Sequence, residues 1–208
     1  MERNIGLMTL SKRLLDLVCG FFLFILLGPL ILITALIILT LDGRPVFYIS
    51  ERMKSLTEGF NLIKFRTMKP AVGDSGVSGG DKTARITRTG PILRRSRLDE
   101  LPQLWNVIRG DISFIGPRPP LRQYVERFPS IYAQVLKSRP GVSGLASIYF
   151  HAHEEHLLSR SQSREETDMI YCRACIPRKA RLDLIYRANR NLCMDVSLMV
   201  KTVFKRLR

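Results

Sequence analysis

No charged side chain interrupts the chain from Leu17 to Leu41. As a straight helix those roughly 25 residues reach about 37 Å, against a bilayer hydrocarbon core near 30 Å, which predicts a membrane-associated segment. The run is too long for an ordinary signal-peptide core and no small-x-small site closes it, so a cleaved leader fits poorly. Gly28 and Pro29 sit near its middle. Proline removes a backbone donor and clashes with the preceding turn, which predicts a kink and two limbs of about 12 residues, or roughly 18 Å each. Basic residues flank both ends, Arg3, Lys12 and Arg13 before and Arg44, Arg52 and Lys54 after. Charge therefore sets no single orientation, and a re-entrant helix with both ends in the cytoplasm satisfies both flanks. A tilted spanning helix with a tolerated proline kink is the competing reading.

Beyond the apolar run the pattern changes. Pro45 to Ile49 and Phe60 to Phe65 are short aromatic-containing runs that predict a small β-hairpin. Ala71 to Lys82 is rich in glycine and serine, cannot bury a core, and reads as a loop, either a lid or a linker. Leu98, Leu101, Leu104, Trp105 and Ile108 recur at helical spacing, predicting one helix over Leu93 to Arg109, with Ser96 or Asp99 as its cap and Pro102 in a first turn. Leu121 to Lys137 reads as helix broken at Pro129. From Leu182 onward apolar positions alternate with Arg187, Arg190, Lys201, Lys205 and Arg206, the pattern of helices that either lie in the headgroup plane or pack into a core. The expected fold class is α+β: a mainly helical small cytosolic domain over 45–208 with a short hairpin, anchored by the re-entrant helix within 1–44 and by interfacial amphipathic helices.

Composition narrows the partners. Of 208 residues, 46% are apolar, 33 are Lys or Arg and 18 are Asp or Glu, giving a formal charge of +15. Disorder is excluded, and an anionic partner is favoured: an acidic bilayer surface, a phosphorylated substrate or nucleic acid. The apolar run points to the membrane. Cys19, Cys172, Cys175 and Cys193 suggest no disulfide framework, and Cys172-x-x-Cys175 has no second pair for a metal site. The cluster His151-Ala152-His153-Glu154-Glu155-His156 is not HExxH and is read as a surface helix.

The densest chemistry lies in Arg94-Arg95-Ser96-Arg97-Leu98-Asp99-Glu100-Leu101-Pro102, followed by Gly116-Pro117-Arg118-Pro119. It places two adjacent carboxylates among guanidinium groups. A carboxylate is a weak nucleophile toward an anionic phosphate, so flanking arginines and a divalent metal are what such an attack needs. Acidic residues are also common in a helix's first turn, and the dipeptide alone favours that reading, a surface helix start.

The run LDELPQLWNVIRGDISFIGPRP, with Lys64-Phe65-Arg66-Thr67-Met68 upstream and Arg139-Pro140-Gly141-Val142-Ser143-Gly144 downstream, resembles the bacterial sugar transferase family, the monotopic polyprenol-phosphate phosphoglycosyl transferases. The match runs from Lys12 almost to the C-terminus. The resemblance implies a re-entrant helix broken at a proline, with Gly28 where many members carry Ser. It implies Asp99 as nucleophile toward a UDP-sugar, an aspartyl-phosphosugar intermediate, and undecaprenyl phosphate as acceptor in a ping-pong cycle that starts surface-glycan assembly. Glu100 is implied as the ligand of Mg²⁺, which takes one or two carboxylates plus substrate phosphates. Arg94 and Arg118 match arginines that contact phosphate and nucleotide, as the planar guanidinium fork suits. Lys64, Arg85 and Asp183 are further substrate-binding candidates. Thr83-Ala84-Arg85 stands where many members have Asp-Pro-Arg, and Ser147-Ile148-Tyr149-Phe150 replaces a commoner Gln-Val-Asn-Gly, a change expected to touch sugar recognition. The chain resembles the catalytic core without the multi-span module of larger relatives. Expected partners are the UDP-sugar, undecaprenyl phosphate and membrane lipids, with no nucleic acid; a homodimer is allowed. The expected location is the cytoplasmic face of the bacterial inner membrane. The competing function is a basic membrane-tethered scaffold or nucleic-acid binder without catalysis, and a hydrolase using the same aspartyl chemistry is a third.

Overall fold

A computed structural model describes residues 10–70 and 76–207, with side chains through Phe204. Arg3 and the first part of the expected loop, 71–75, lie outside the described residues.

Helix α1 spans Leu10–Leu41 and runs without interruption through Pro29, 32 residues and about 48 Å at 1.5 Å per residue. It begins seven residues before the uncharged run and so includes Lys12, Arg13 and Asp16. Its buried positions are confined to the two ends: Lys12, Asp16 and Gly20, then Thr34 and Ile38. Ile25 near the middle is 76% exposed, beside Phe22 and Leu32. Both ends pack on the same folded body. Gly20 lies against Val107, Ile108 and Phe114, while Ile38 shares a core with Phe65 and Leu93.

Strands β1 (Phe47–Met53) and β2 (Gly59–Phe65) form the expected hairpin, each longer than its apolar run, antiparallel with Tyr48 opposite Lys64. A 3-10 helix over Gly80–Arg85 follows, so the end of the glycine-rich loop is ordered. The single helix expected over Leu93 to Arg109 is three pieces: α2 (Gly90–Ser96), a 3-10 turn (Leu98–Glu100) and α3 (Gln103–Arg109). Two local causes break it. Arg97 adopts left-handed backbone at φ 59°, and Pro102, which has no N–H, stands at the N-cap of α3. Neither Ser96 nor Asp99 caps either helix through its side chain.

Strands β3 (Ser113–Ile115) and β4 (Gly141–Ser143) pair in parallel, two short segments that no alternation announced. Helices α4 (Arg122–Arg127) and α5 (Pro129–Val135) realise the break at Pro129. The chain continues through α6 (Leu145–Tyr149), α7 (His151–Ser159), α8 (Arg164–Ile170), a π-helical turn (Tyr171–Cys175), α9 (Ile176–Asn189) and α10 (Leu192–Leu207). The largest core joins Met53, Tyr124, Val125, Val135, Cys175 and Ile176. Near β3 and β4 the backbones touch. A Cβ on Gly141 would sit 2.2 Å from Gly116 N, and one on Gly144 would sit 2.1 Å from Gly116 O, so only glycine allows the approach that carries the chain into Pro117 and Arg118.

Candidate active site

The break at Arg97 is what shapes the site. By ending α2 with a left-handed residue, the chain turns Asp99 and Glu100 inward on a 3-10 turn, where they are 9% and 6% exposed. Carboxylates this buried need compensation.

Glu100 receives it. Its Oε1 accepts hydrogen bonds from Lys64 Nζ and Arg118 Nη2, each at 3.1 Å, and lies 3.7 Å from Arg97 Nη1. Burial opposes ionisation, but Lys64, Arg118 and Arg97 outweigh it and hold the Glu100 carboxyl far below the usual range. Asp99 is treated differently. Burial pushes its carboxyl above the usual value, Glu100 adds to the rise, and Lys64 and Arg97 offset it only in part. Its Oδ1 is buried with no hydrogen-bond partner among the described residues. Two neighbouring carboxylates thus occupy opposite states: one is locked by cations, the other carries an oxygen that nothing engages.

Both line a cleft of about 860 Å³. The cleft brings together all seven residues singled out from sequence: Lys64, Arg85, Arg94, Asp99, Glu100, Arg118 and Asp183. Arg94 Nε donates to Thr67 Oγ1 at 3.0 Å, which fixes its stem. Arg85 donates to the Lys69 carbonyl at 2.9 Å. Asp183, on α9, is buried with Oδ1 unpartnered among the described residues, and burial pushes its carboxyl up to about 7.

Residues not expected at a site complete the wall: Arg52, read as a flank of the apolar run; Arg97; His151 and Glu154, read as part of a surface helix; Tyr171 and Lys179. Lys179 Nζ donates to Glu154 Oε1 at 2.8 Å and to Tyr171 OH at 3.3 Å, joining α7, the π turn and α9. The extra residue of a π turn is a common device for aiming a side chain into a site, and here that side chain is Tyr171. His151 lies 3.2 Å from Glu155, and burial, with Arg97 and Arg118 nearby, holds its imidazole down to about 3, so it is neutral near pH 7. The spacing of Lys179 and Asp183, four apart on one helix face, was the available signal for this wall. Ser147 to Phe150, expected at the sugar, do not line the cleft; Ile148 and Phe150 are buried in cores, and the cleft is met one residue later, at His151. Arg66 is spent elsewhere: its Nη2 donates to the carbonyls of Asp42 at 2.7 Å and Gly43 at 2.8 Å, closing the end of α1.

A metal cage built from protein alone is absent, since no group of three His, Cys, Asp or Glu among the described residues is placed to hold an ion. Mg²⁺ does not need one. It is held by one or two carboxylates with substrate phosphates filling the rest of the shell, and Glu100, held ionised on the cleft wall, would supply one. Cys172 and Cys175 are free thiols on the π turn.

The profile of the bacterial sugar transferase family matches residues 7–208. The chain is 31% identical over 198 residues to a UDP-N-acetylgalactosamine-undecaprenyl-phosphate N-acetylgalactosaminephosphotransferase of Aeromonas hydrophila, covering 92% of this chain and 42% of that protein. It is 30% identical over 204 residues to a UDP-glucose:undecaprenyl-phosphate glucose-1-phosphate transferase of Klebsiella pneumoniae, covering 96% and 41%. An exopolysaccharide production protein of Sinorhizobium fredii, ExoY, is 35% identical over 156 residues, 67% of this chain and 69% of that protein. The chain spans about two fifths of the length of the first two relatives.

Proposed function

The chain belongs to the bacterial sugar transferase family, and from that premise we propose that it transfers a phospho-sugar from a UDP-sugar to undecaprenyl phosphate, giving undecaprenyl diphospho-sugar and UMP. The observation that carries this reading is the Asp99–Glu100 pair, one carboxylate held ionised by three cations and the other bearing a buried, unengaged oxygen. A nucleophile that surrenders no hydrogen bond on attack loses nothing when it moves onto phosphorus.

In the first half-reaction an Asp99 carboxylate oxygen attacks the phosphorus bearing the sugar. The new O–P bond forms as the bond from that phosphorus to the bridging diphosphate oxygen breaks, and UMP leaves with the electron pair. In the second, a phosphate oxygen of undecaprenyl phosphate attacks the same phosphorus, the Asp99 O–P bond breaks and the carboxylate is restored. A soluble donor and a lipid acceptor thus use one site in turn, with ping-pong kinetics. Arg94 and Arg118 pair the phosphate oxygens, Lys64 and Arg97 keep Glu100 ionised, and the buried setting strengthens each of these attractions. Mg²⁺, when bound at Glu100, supplies positive charge against the diphosphate.

The membrane arrangement follows from α1. Its bare apolar middle belongs in lipid, and both its ends pack on one domain, which supports a helix that enters and leaves on the cytoplasmic face. On α10, Val196, Val200, Val203 and Phe204 are exposed at helical spacing, which suits a helix lying at the headgroups. The deciding experiment is UMP release across a panel of UDP-sugars, with and without undecaprenyl phosphate and Mg²⁺, using the full chain in nanodiscs. A burst of about one UMP per site without lipid, sustained release only with it, and a sugar-phosphate adduct found on Asp99 by mass spectrometry are expected. Release without acceptor at the full steady-state rate would mean a hydrolase instead, and no release from any donor would leave a scaffold.

A further inference from the structure

The cleft has walls of two characters. Besides His151, Lys179 and Asp183, its lining includes Pro45, Phe47, Tyr48 and Phe65. Tyr48 and Phe47 are 48% and 44% exposed, large for aromatic side chains at the rim of a charged site. They are not isolated. Phe47 stacks on Phe65 with ring centroids 5.4 Å apart, and Phe65 packs against Ile38 of α1. Leu36, Ile37, Leu39 and Leu41 on the same end of α1 are exposed. An apolar path therefore leads from the lipid-facing end of the membrane helix over β1 into the cleft. It ends at the cations, because Tyr48 is paired in register with Lys64, whose Nζ is 3.1 Å from Glu100.

We propose that Pro45, Phe47 and Tyr48 seat the first isoprene units of the lipid acceptor, so that its phosphate reaches Lys64 and Asp99 from the α1 side while the sugar nucleotide occupies the polar side. The occupant is set by continuity: a wall meant for a water-soluble ligand has no reason to merge with the bare apolar surface of α1. Isoprene units bury well against aromatic faces, whereas the ribose and sugar of the donor need the hydrogen-bonding groups of the cleft. This inference rests on the transferase reading above and adds where its second substrate binds.

Two measurements on the full chain in nanodiscs test it. In the first, a photoreactive isoprenyl phosphate is crosslinked and the label mapped by mass spectrometry. Label within residues 45–48, displaced by undecaprenyl phosphate and not by inorganic phosphate, is expected; label confined to α9 or α10 overturns the proposal. This readout needs no turnover, so a chain that releases no UMP would sink the reaction while leaving the seat to stand or fall on the crosslink. In the second, Tyr48→Ser is expected to lower kcat/KM for undecaprenyl phosphate about tenfold, with the KM for UDP-sugar unchanged within about twofold, and Tyr48→Phe to restore the parent value. An unchanged acceptor kcat/KM overturns the proposal. So does a raised KM for UDP-sugar with acceptor kinetics intact, since the wall would then stack the nucleobase.

Discussion

Lys12 is the sharpest place to perturb this fold. It sits one turn into α1, before the uncharged run, yet its side chain is only 9% exposed, and that of its partner Asp195 on α10 is 4% exposed. Lys12 Nζ donates to Asp195 Oδ2 at 2.6 Å, to the Ile115 carbonyl at 3.0 Å and to Tyr186 OH at 3.2 Å, while Tyr186 OH donates to Asp195 Oδ1 at 2.6 Å. Lys12→Met keeps the aliphatic stem and removes the cation, leaving the buried Asp195 carboxyl with the Tyr186 hydroxyl as its side-chain donor. Removing one partner of a buried pair costs about 3–5 kcal/mol. For a chain of this size, 1 kcal/mol moves Tm by about 2–4 °C, so the variant should melt roughly 6–20 °C lower by circular dichroism in detergent. Lys12→Met/Asp195→Leu removes both charges and should recover most of the loss, because a buried pair replaced by apolar groups is often neutral. A loss below about 1 kcal/mol, or a double variant no more stable than the single, would refute the reasoning that this pair fastens the N-terminal end of α1 to the domain.

Other expectations follow from the site. Asp99→Asn keeps the shape but cannot form an acyl-phosphate, so UMP release should fall to background with the fold and membrane association intact; near-normal release removes Asp99 from the nucleophile role. Glu100→Gln leaves three cations facing a neutral amide, so kcat should fall about 100-fold or more and the Mg²⁺ titration should shift, whereas an unchanged titration ends the metal assignment. Arg97→Gly relieves left-handed backbone worth up to about 1 kcal/mol, so Tm should hold or rise while activity drops for want of a cation beside Glu100; a lower Tm would show the side chain matters more to the fold than its φ. Asp183 is raised from an unfolded value of 3.8 to about 7, so between those pH values the folded state binds more protons and stability falls as pH rises. Asp183→Asn should flatten that slope and gain up to about 4 kcal/mol at pH 8; parallel stability–pH curves for the two proteins would contradict it.

The readable parts of this chain are those that local chemistry determines. The apolar run of α1, the hairpin, and the break between α4 and α5 at Pro129 each announce themselves in a few consecutive residues. The extension of α1 back to Leu10 does not, because a helix that buries Lys12 and Asp16 makes sense only when Asp195 and Ser113 are there to receive them. The reading of Leu93 to Arg109 as one helix was misled by a periodicity that survives in its parts. Nothing in composition marks Arg97 as left-handed, since the conformation is rare for a residue other than glycine. Strands β3 and β4, three residues each, are too short for alternation to show, and only the glycines at 116, 141 and 144 hint at backbones in contact. At the site, motifs gave the charged residues around the dyad, while the wall built from α7, the π turn and α9 depends on how those helices pack.

The end of α1 and the site are mechanically one unit. Asp42, just past the last helical turn, accepts hydrogen bonds from Arg88 N at 3.0 Å, from Thr89 N at 3.3 Å and from the Thr89 hydroxyl, so its carboxylate satisfies donors at the start of α2. The far end of α2 carries Arg94 and leads through Arg97 into Asp99 and Glu100. From the other side Arg66, two residues beyond Lys64, closes the carbonyls of Asp42 and Gly43. The same short turn therefore ties together two of the elements that supply cations to the dyad, β2 with Lys64 and α2 with Arg94. A shift of the helix end relative to the domain moves Lys64, Arg94 and Arg97 together, and with them the charge balance that keeps Glu100 ionised beside the unengaged oxygen of Asp99.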